Sequence, residues 1–150
     1  MKRLLIVSGS FRRKESPREP IRALDRFDGV VFRLLRRLEA EGVLKDVDIL
    51  IITDKGPIWA HEKVPYWPPR GPTWKTYSLS KEELLQMRKR IIEMLRSRAG
   101  QYEEALIVVG RQMEEVLRDI GSILQCKIIN THGLRLGEKM AKIREWLARH

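Results

Sequence analysis

The sequence predicts an α/β fold: a Rossmann-like, three-layer α/β/α sandwich on a parallel sheet of about four strands. Three observations carry that prediction. Short apolar runs alternate with longer segments of helical periodicity, in the order βαβαβαβα. The apolar runs are near-continuous rather than alternating, as strands buried on both faces are. Right-handed crossovers between such strands place helices on both sides of the sheet. At 150 residues the chain has the size of one domain, residues 1–150, around one sizeable core.

The first strand is Leu4-Leu5-Ile6-Val7. Ser8-Gly9-Ser10 and a cluster of charges cut this apolar run short, so it is a strand rather than a signal peptide, and a cytoplasmic protein is expected. Pro20 is placed to open a helical turn that would align Arg22 with Arg26. Val31, Leu34, Leu35 and Leu38 form the stripe of the next helix, which Gly42 stops. Val47 to Thr53 is the second strand. The segment from Gly56 to Leu79 holds five prolines and no periodicity, and a loop of that length in a compact domain is functional or disordered. Ser80 and Glu83 then form a capping signature, followed by Leu84, Met87, Ile91 and Leu95 on one face, up to Gly100. Ala105 to Val109 is the third strand. Met113, Val116, Leu117 and Ile120 mark a helix. Cys126 to Asn130 is the weakest strand, its Lys127 suiting an edge, and the last helix, from about Gly137, buries Met140, Ile143 and Leu147 with Trp146.

Composition narrows the function. No run approaches the roughly 20 apolar residues of a membrane span, so no membrane partner is expected. A single cysteine, Cys126, in apolar surroundings excludes a disulfide framework or a thiolate metal site within one chain. His61, His132 and His150 show no paired metal-ligand spacing. The net charge of +10 and a pI near 10.1 favour a polyanionic partner. A heat-adapted, thermophile surface is the other source of dense charge.

Ligands of open α/β sheets gather outside the carboxyl ends of the strands. That edge collects Ser8-Gly9-Ser10, Asp54-Lys55-Gly56, Gly110-Arg111-Gln112 and Asn130-Thr131-His132-Gly133. A strand order of 2-1-3-4 would set Ser8 to Ser10 opposite Gly110 to Gln112. In "VSGSFRRKES", Ser8 and Ser10 offer hydroxyls, and Arg12, Arg13 and Lys14 offer charge. A phosphate needs that combination; a strand-to-helix turn with a solvated basic loop is the other reading. The dinucleotide and P-loop glycine patterns are absent. In the 56–79 loop, Trp59, Tyr66, Trp67, Trp74 and Tyr77 alternate with cations, so Trp67 and Trp74 are candidates to stack on bases. The same aromatics could instead pin the loop onto the body or bury a homodimer contact. Lys55, Arg111 and Asn130 complete the ligand-binding candidates. Asp54 and His132 are the candidates for acid–base work. No Ser-His-Asp order, H-E-x-x-H or G-x-S-x-G is present, so neither a reaction nor a cofactor is specified.

"SGSFRRK", "FDGVVF", "ITDKGPIWAHEKVPY", "VVGRQMEEVL" and "GLRLGEKMAKIREWL", in that order, resemble a prokaryotic family of small α/β domains. That family is related to the uracil-DNA-glycosylase-like domain of archaeosine synthase. The resemblance implies a three-layer fold and a nucleobase or nucleic-acid context. Glycosylase chemistry is not carried over, because Gly9-Ser10-Phe11-Arg12-Arg13 stands where a water-activating acid motif belongs, and His132-Gly133-Leu134 where His-Pro-Ser belongs. Locally, "SGSFRRKES" is similar to the Gly-Ser-x-Arg-x-x-Ser turn that holds flavin mononucleotide in NADPH-dependent flavin reductases. The expectation is a domain that binds nucleic acid or a nucleotide. A flavodoxin-like, FMN-dependent reductase and a protein-interaction module using the aromatic loop are the alternatives.

Overall fold

The computed structural model describes residues 2–69 and 79–149. In chain order the elements are β1 (Lys2–Ser8), β2 (Ile21–Arg22), α1 (Ala23–Arg26), α2 (Val30–Ala40), β3 (Val47–Thr53), β4 (Gly56–Trp59) and β5 (Lys63–Val64). After these come α3 (Lys81–Arg96), β6 (Tyr102–Val108), α4 (Arg111–Val116), α5 (Ile120–Leu124), β7 (Lys127–Asn130) and α6 (Leu136–Ala148). One mostly parallel sheet of five strands, in the order β4-β3-β1-β6-β7, forms the centre. Its four parallel strands are those the sequence predicts, in the order 2-1-3-4, and β7 lies at an edge.

Side chains alternate across a strand, so the near-continuous apolar runs feed two cores. On one face Leu5, Val7, Ile49, Ile51, Leu106 and Val108 meet α1, α2 and α6. On the other, Leu4, Ile6, Leu50, Ile52, Ala105 and Ile107 meet α3, α4 and α5. The capping box at Ser80 and Glu83 forms as expected and starts α3. Trp146 of α6 is fully buried, its indole N–H donating to Glu104. Cys126 is half-buried, and that burial pushes its thiol pKa up, away from reactive thiolate character.

Three expectations need correction. The sheet has a fifth strand: β4, antiparallel to β3, comes from the segment read as loop. A two-residue turn at Asp54-Lys55 folds it back, and Gly56 takes φ +117° beneath the Arg90 guanidinium, where a side chain would collide. Pro57 is tolerated because β4 is an edge strand. The same segment supplies β5, which pairs with β2. The helix expected through Met113 and Ile120 is two short helices, broken at Asp119 in left-handed conformation.

The third correction concerns the arginine row. Pro20 opens a strand rather than a helical turn, so Arg22 and Arg26 share no basic face. Arg22 forks onto Asp25 and Glu39 at 2.7–3.1 Å. Arg26 turns inward, wholly buried, and donates to the carbonyls of Lys14, Pro17, Glu19 and Val64 at 2.8–3.4 Å. The amino end of the sheet is equally occupied. There Tyr102 Oη donates to Asp48 at 2.7 Å, and Arg98 and Lys2 pair with the same carboxylate. Burial foremost, then the Asp48 bond, pushes the Tyr102 pKa above its ordinary value.

Arg22 holds the Asp25 carboxyl below the usual carboxylate range by hydrogen bonding, and Arg33, then Arg36, do the same for Asp28. A depressed folded pKa stabilises above the unfolded value, about 4, and that stability is lost as pH falls through the folded value. Chemical denaturation should therefore show unfolding free energy declining on acidification below about pH 4. Asp28→Asn should flatten part of that slope; a variant with an identical slope would contradict the assignment.

Candidate functional site

The carboxyl edge is built from its turns. At the end of β1, the Gly9 N–H extends the ladder to Ile52 O at 2.8 Å. A Cβ on Gly9 would press on the Phe27 ring and the Thr53 methyl at 3.2–3.3 Å, which is why the chain narrows to glycine there. The next turn of chain buries Arg13. Its guanidinium donates to Asp54 Oδ1 at 3.0 Å, and the side chains of the pair are 0% and 7% exposed. Trp67 Nε1–H donates to the same oxygen at 3.2 Å. The Arg13 guanidinium carbon lies 5.3 Å from the Phe27 ring centre and 5.2 Å from that of Trp67, and the two rings meet edge to face.

This knot redirects several candidates. Arg13 is an interior cation rather than a phosphate ligand. Asp54 is its counter-ion rather than a general base. Trp67 lies in the core instead of offering a stacking face. Ser10 Oγ donates to Arg12 O at 2.5 Å and accepts from Gly29 N at 3.2 Å, so it ties the loop to the start of α2 instead of facing a ligand. Arg12 and Lys14 remain exposed, and Lys55 lies 5.8 Å from the Trp67 ring centre. Trp74 lies outside the described residues.

What the edge does form is a cleft of about 510 Å3, within the size range of small-molecule sites. Ser8 and Gly9 form one lip, Gly110, Arg111 and Gln112 the other, and Ile52, Thr53, Asp54, Leu79 and Met113 complete the lining. The lips are those the strand order predicts. They touch where Gly110 N–H donates to Ser8 Oγ at 3.2 Å. That bond leaves the hydroxyl's own proton without an acceptor among the described residues. Gln112 pairs with both backbone groups of Leu79 at 2.9 Å, closing one wall. Arg111 is exposed and has no acidic partner among the described residues.

No protein-family model, curated protein or solved structure matches the chain.

Asn130 and His132 stand apart from this cleft. Asn130 Oδ1 accepts the His132 backbone N–H at 2.9 Å, and its side chain borders a different hollow beside α5. His132 Nδ1 meets Glu114 at 2.5 Å. Glu114 is only 15% exposed and fixes the imidazole. Sequence reasoning missed Glu114, Thr53, Leu79 and Lys139. A signal existed for Glu114, three residues after Arg111 and so on the same helical face. Among the described residues, no group of three or more His, Cys, Asp or Glu is placed to hold a metal ion, and no helix is long and apolar enough to cross a membrane.

Removing one partner of a buried ion pair costs ~3–5 kcal/mol, whereas replacing both with apolar groups is often close to neutral. Asp54→Ala should lower the unfolding free energy by about that amount, and Arg13→Met/Asp54→Leu should restore most of it. Urea titrations measure both. A single variant within 1 kcal/mol of the native protein, on the order of a surface pair, would show that the knot is not a buried pair in solution.

Proposed function

We propose that the chain is a nucleotide-binding domain of Rossmann-like layering, acting in the cytoplasm, with its ligand in the cleft between Ser8–Gly9 and Gly110–Gln112. One observation carries this: the cleft lies outside the carboxyl ends of the strands, where strand order reverses between β1 and β6. Crevices of this kind, at a reversal of strand order, are the ligand sites of open α/β sheets. A flat base suits the apolar part of the lining, Ile52, Leu79 and Met113. A phosphate suits the rim, where the Ser8 hydroxyl can donate and Arg111 brings a charge with no acidic partner among the described residues. The resemblance to small α/β domains related to the uracil-DNA-glycosylase-like domain of archaeosine synthase implies a nucleobase or nucleic-acid context, which is compatible with this ligand.

A nucleic-acid strand that seats one nucleotide in the cleft is the second reading. The net charge of +10 and the exposed Arg12 and Lys14 favour it.

Isothermal titration with AMP, FMN and short single-stranded RNA and DNA, at low and high salt, separates these. A mononucleotide should bind, and Arg111→Ala should weaken it about tenfold, the value of one charge-assisted contact. Tight, salt-steep binding of the oligonucleotides with none of the mononucleotide would favour the second reading. No binding of any of them would end both.

A further inference from the structure

Beside the main cleft, the carboxyl ends of β6 and β7 border a second, smaller cavity of about 290 Å3. Arg111 lines both. The other groups come from three separate elements: Glu114 from α4, His132 from the turn after β7, and Lys139 from α6. Lys139 Nζ donates to Val109 O at 2.9 Å, which anchors the ammonium at the cavity. An ammonium has three donors, and the other two have no partner among the described residues. The carboxylate of Glu114 is engaged by His132 Nδ1, so it is turned to orienting the ring. The imidazole itself is 74% exposed, and its Nε2 has no partner among the described residues.

The backbone holds this arrangement in place. His132 N–H is tied to Asn130 Oδ1, Leu134 N–H donates to Thr131 O at 3.1 Å, and Thr131 Oγ1 is anchored to Ile107 O at 2.8 Å. The turn therefore presents His132 from a buried anchor. Arg111 and Lys139 carry two positive charges against the one carboxylate, and a protonated His132 would add a third. Such a cavity takes an anion. Because Arg111 borders both cavities, an anion here lies next to one bound at the rim of the larger cleft.

We propose that the smaller cavity is a second phosphate subsite, so that the preferred ligand is a nucleoside diphosphate or triphosphate. The base lies over Ile52, Leu79 and Met113, Arg111 bridges the phosphates, and Lys139 holds the terminal one together with the imidazolium form of His132, whose Nδ1–H stays on Glu114 while Nε2–H donates to the phosphate. The assignment of the base rests on the nucleotide reading of the main cleft; the anion site stands on its own residues.

Titration of AMP, ADP, ATP and inorganic pyrophosphate into the native protein, Lys139→Met, His132→Gln and Lys142→Ala tests this. Lys142 lies on the same helix outside the cavity, so its variant controls for lost surface charge. ADP should bind about tenfold or more tighter than AMP, a gain of the size one charge-assisted phosphate contact supplies. Lys139→Met should cancel that gain, His132→Gln should reduce it several-fold, and Lys142→Ala should preserve it. His132→Gln keeps the test open if Lys139→Met fails to fold, since the imidazole is an exposed side chain. Equal affinity for AMP and ADP, or a gain that survives both cavity variants, would overturn the subsite. If AMP does not bind but pyrophosphate does, and Lys139→Met abolishes it, the base site falls and the anion site holds. No binding of pyrophosphate, ADP or ATP overturns both.

Discussion

The buried pair of Arg13 and Asp54 governs this architecture, because a charge taken from water must meet its partner wherever the chain places it. Arg13 comes from the loop after β1, Asp54 from the end of β3, Trp67 from the proline-rich segment and Phe27 from the approach to α2. Only Asp54 is placed by regular structure, in the turn between the paired strands β3 and β4. Convergence on one guanidinium and one carboxylate fixes the other three segments. Gly9 is a consequence: the Phe27 ring that covers Arg13 occupies the space a side chain would need.

The same constraint separates charge committed to the fold from charge left at the surface. In the sequence Arg13 stands among the phosphate candidates and Arg22 with Arg26 on an expected helical face, yet each is held by the fold, on Asp54, on Asp25 with Glu39, and on four carbonyls. At the amino end of the sheet, Asp48 gathers Tyr102, Arg98 and Lys2. Polar groups with bonding capacity to spare among the described residues lie at the carboxyl edge, in the Ser8 hydroxyl proton, Arg111, the Lys139 ammonium and His132 Nε2, on elements whose apolar faces are locked into the two cores. A rigid frame with free polar groups at a strand-order reversal is what a ligand site needs.

The fold was largely legible because it depends on local signals. Continuous apolar runs such as Val47 to Thr53 can be satisfied only between two helical layers, and Ser80 with Glu83 declares a helix start without tertiary help. Strand β4 was hidden because Pro57 argues against a strand unless it lies at an edge, and edge position is a property of the whole sheet. The site was legible by region rather than by residue. Strand order brought Ser8 and Gly110 together, as the pattern of turns implies. Whether Arg13 faces a ligand or the core depends on Phe27 and Trp67, 14 and 54 residues further along the chain. Composition cannot distinguish a buried arginine from an exposed one; only the position of its carboxylate does.

The most direct test of the central claim is an amide-resolved NMR titration with AMP. Ligand in the cleft should shift the amide signals of Ser8, Gly9, Gly110, Arg111 and Met113 together, while those of Arg12 and Lys14 stay in place. Shifts confined to Arg12, Lys14 and their neighbours, with the cleft amides unmoved, would contradict the account and make the basic loop the binding surface.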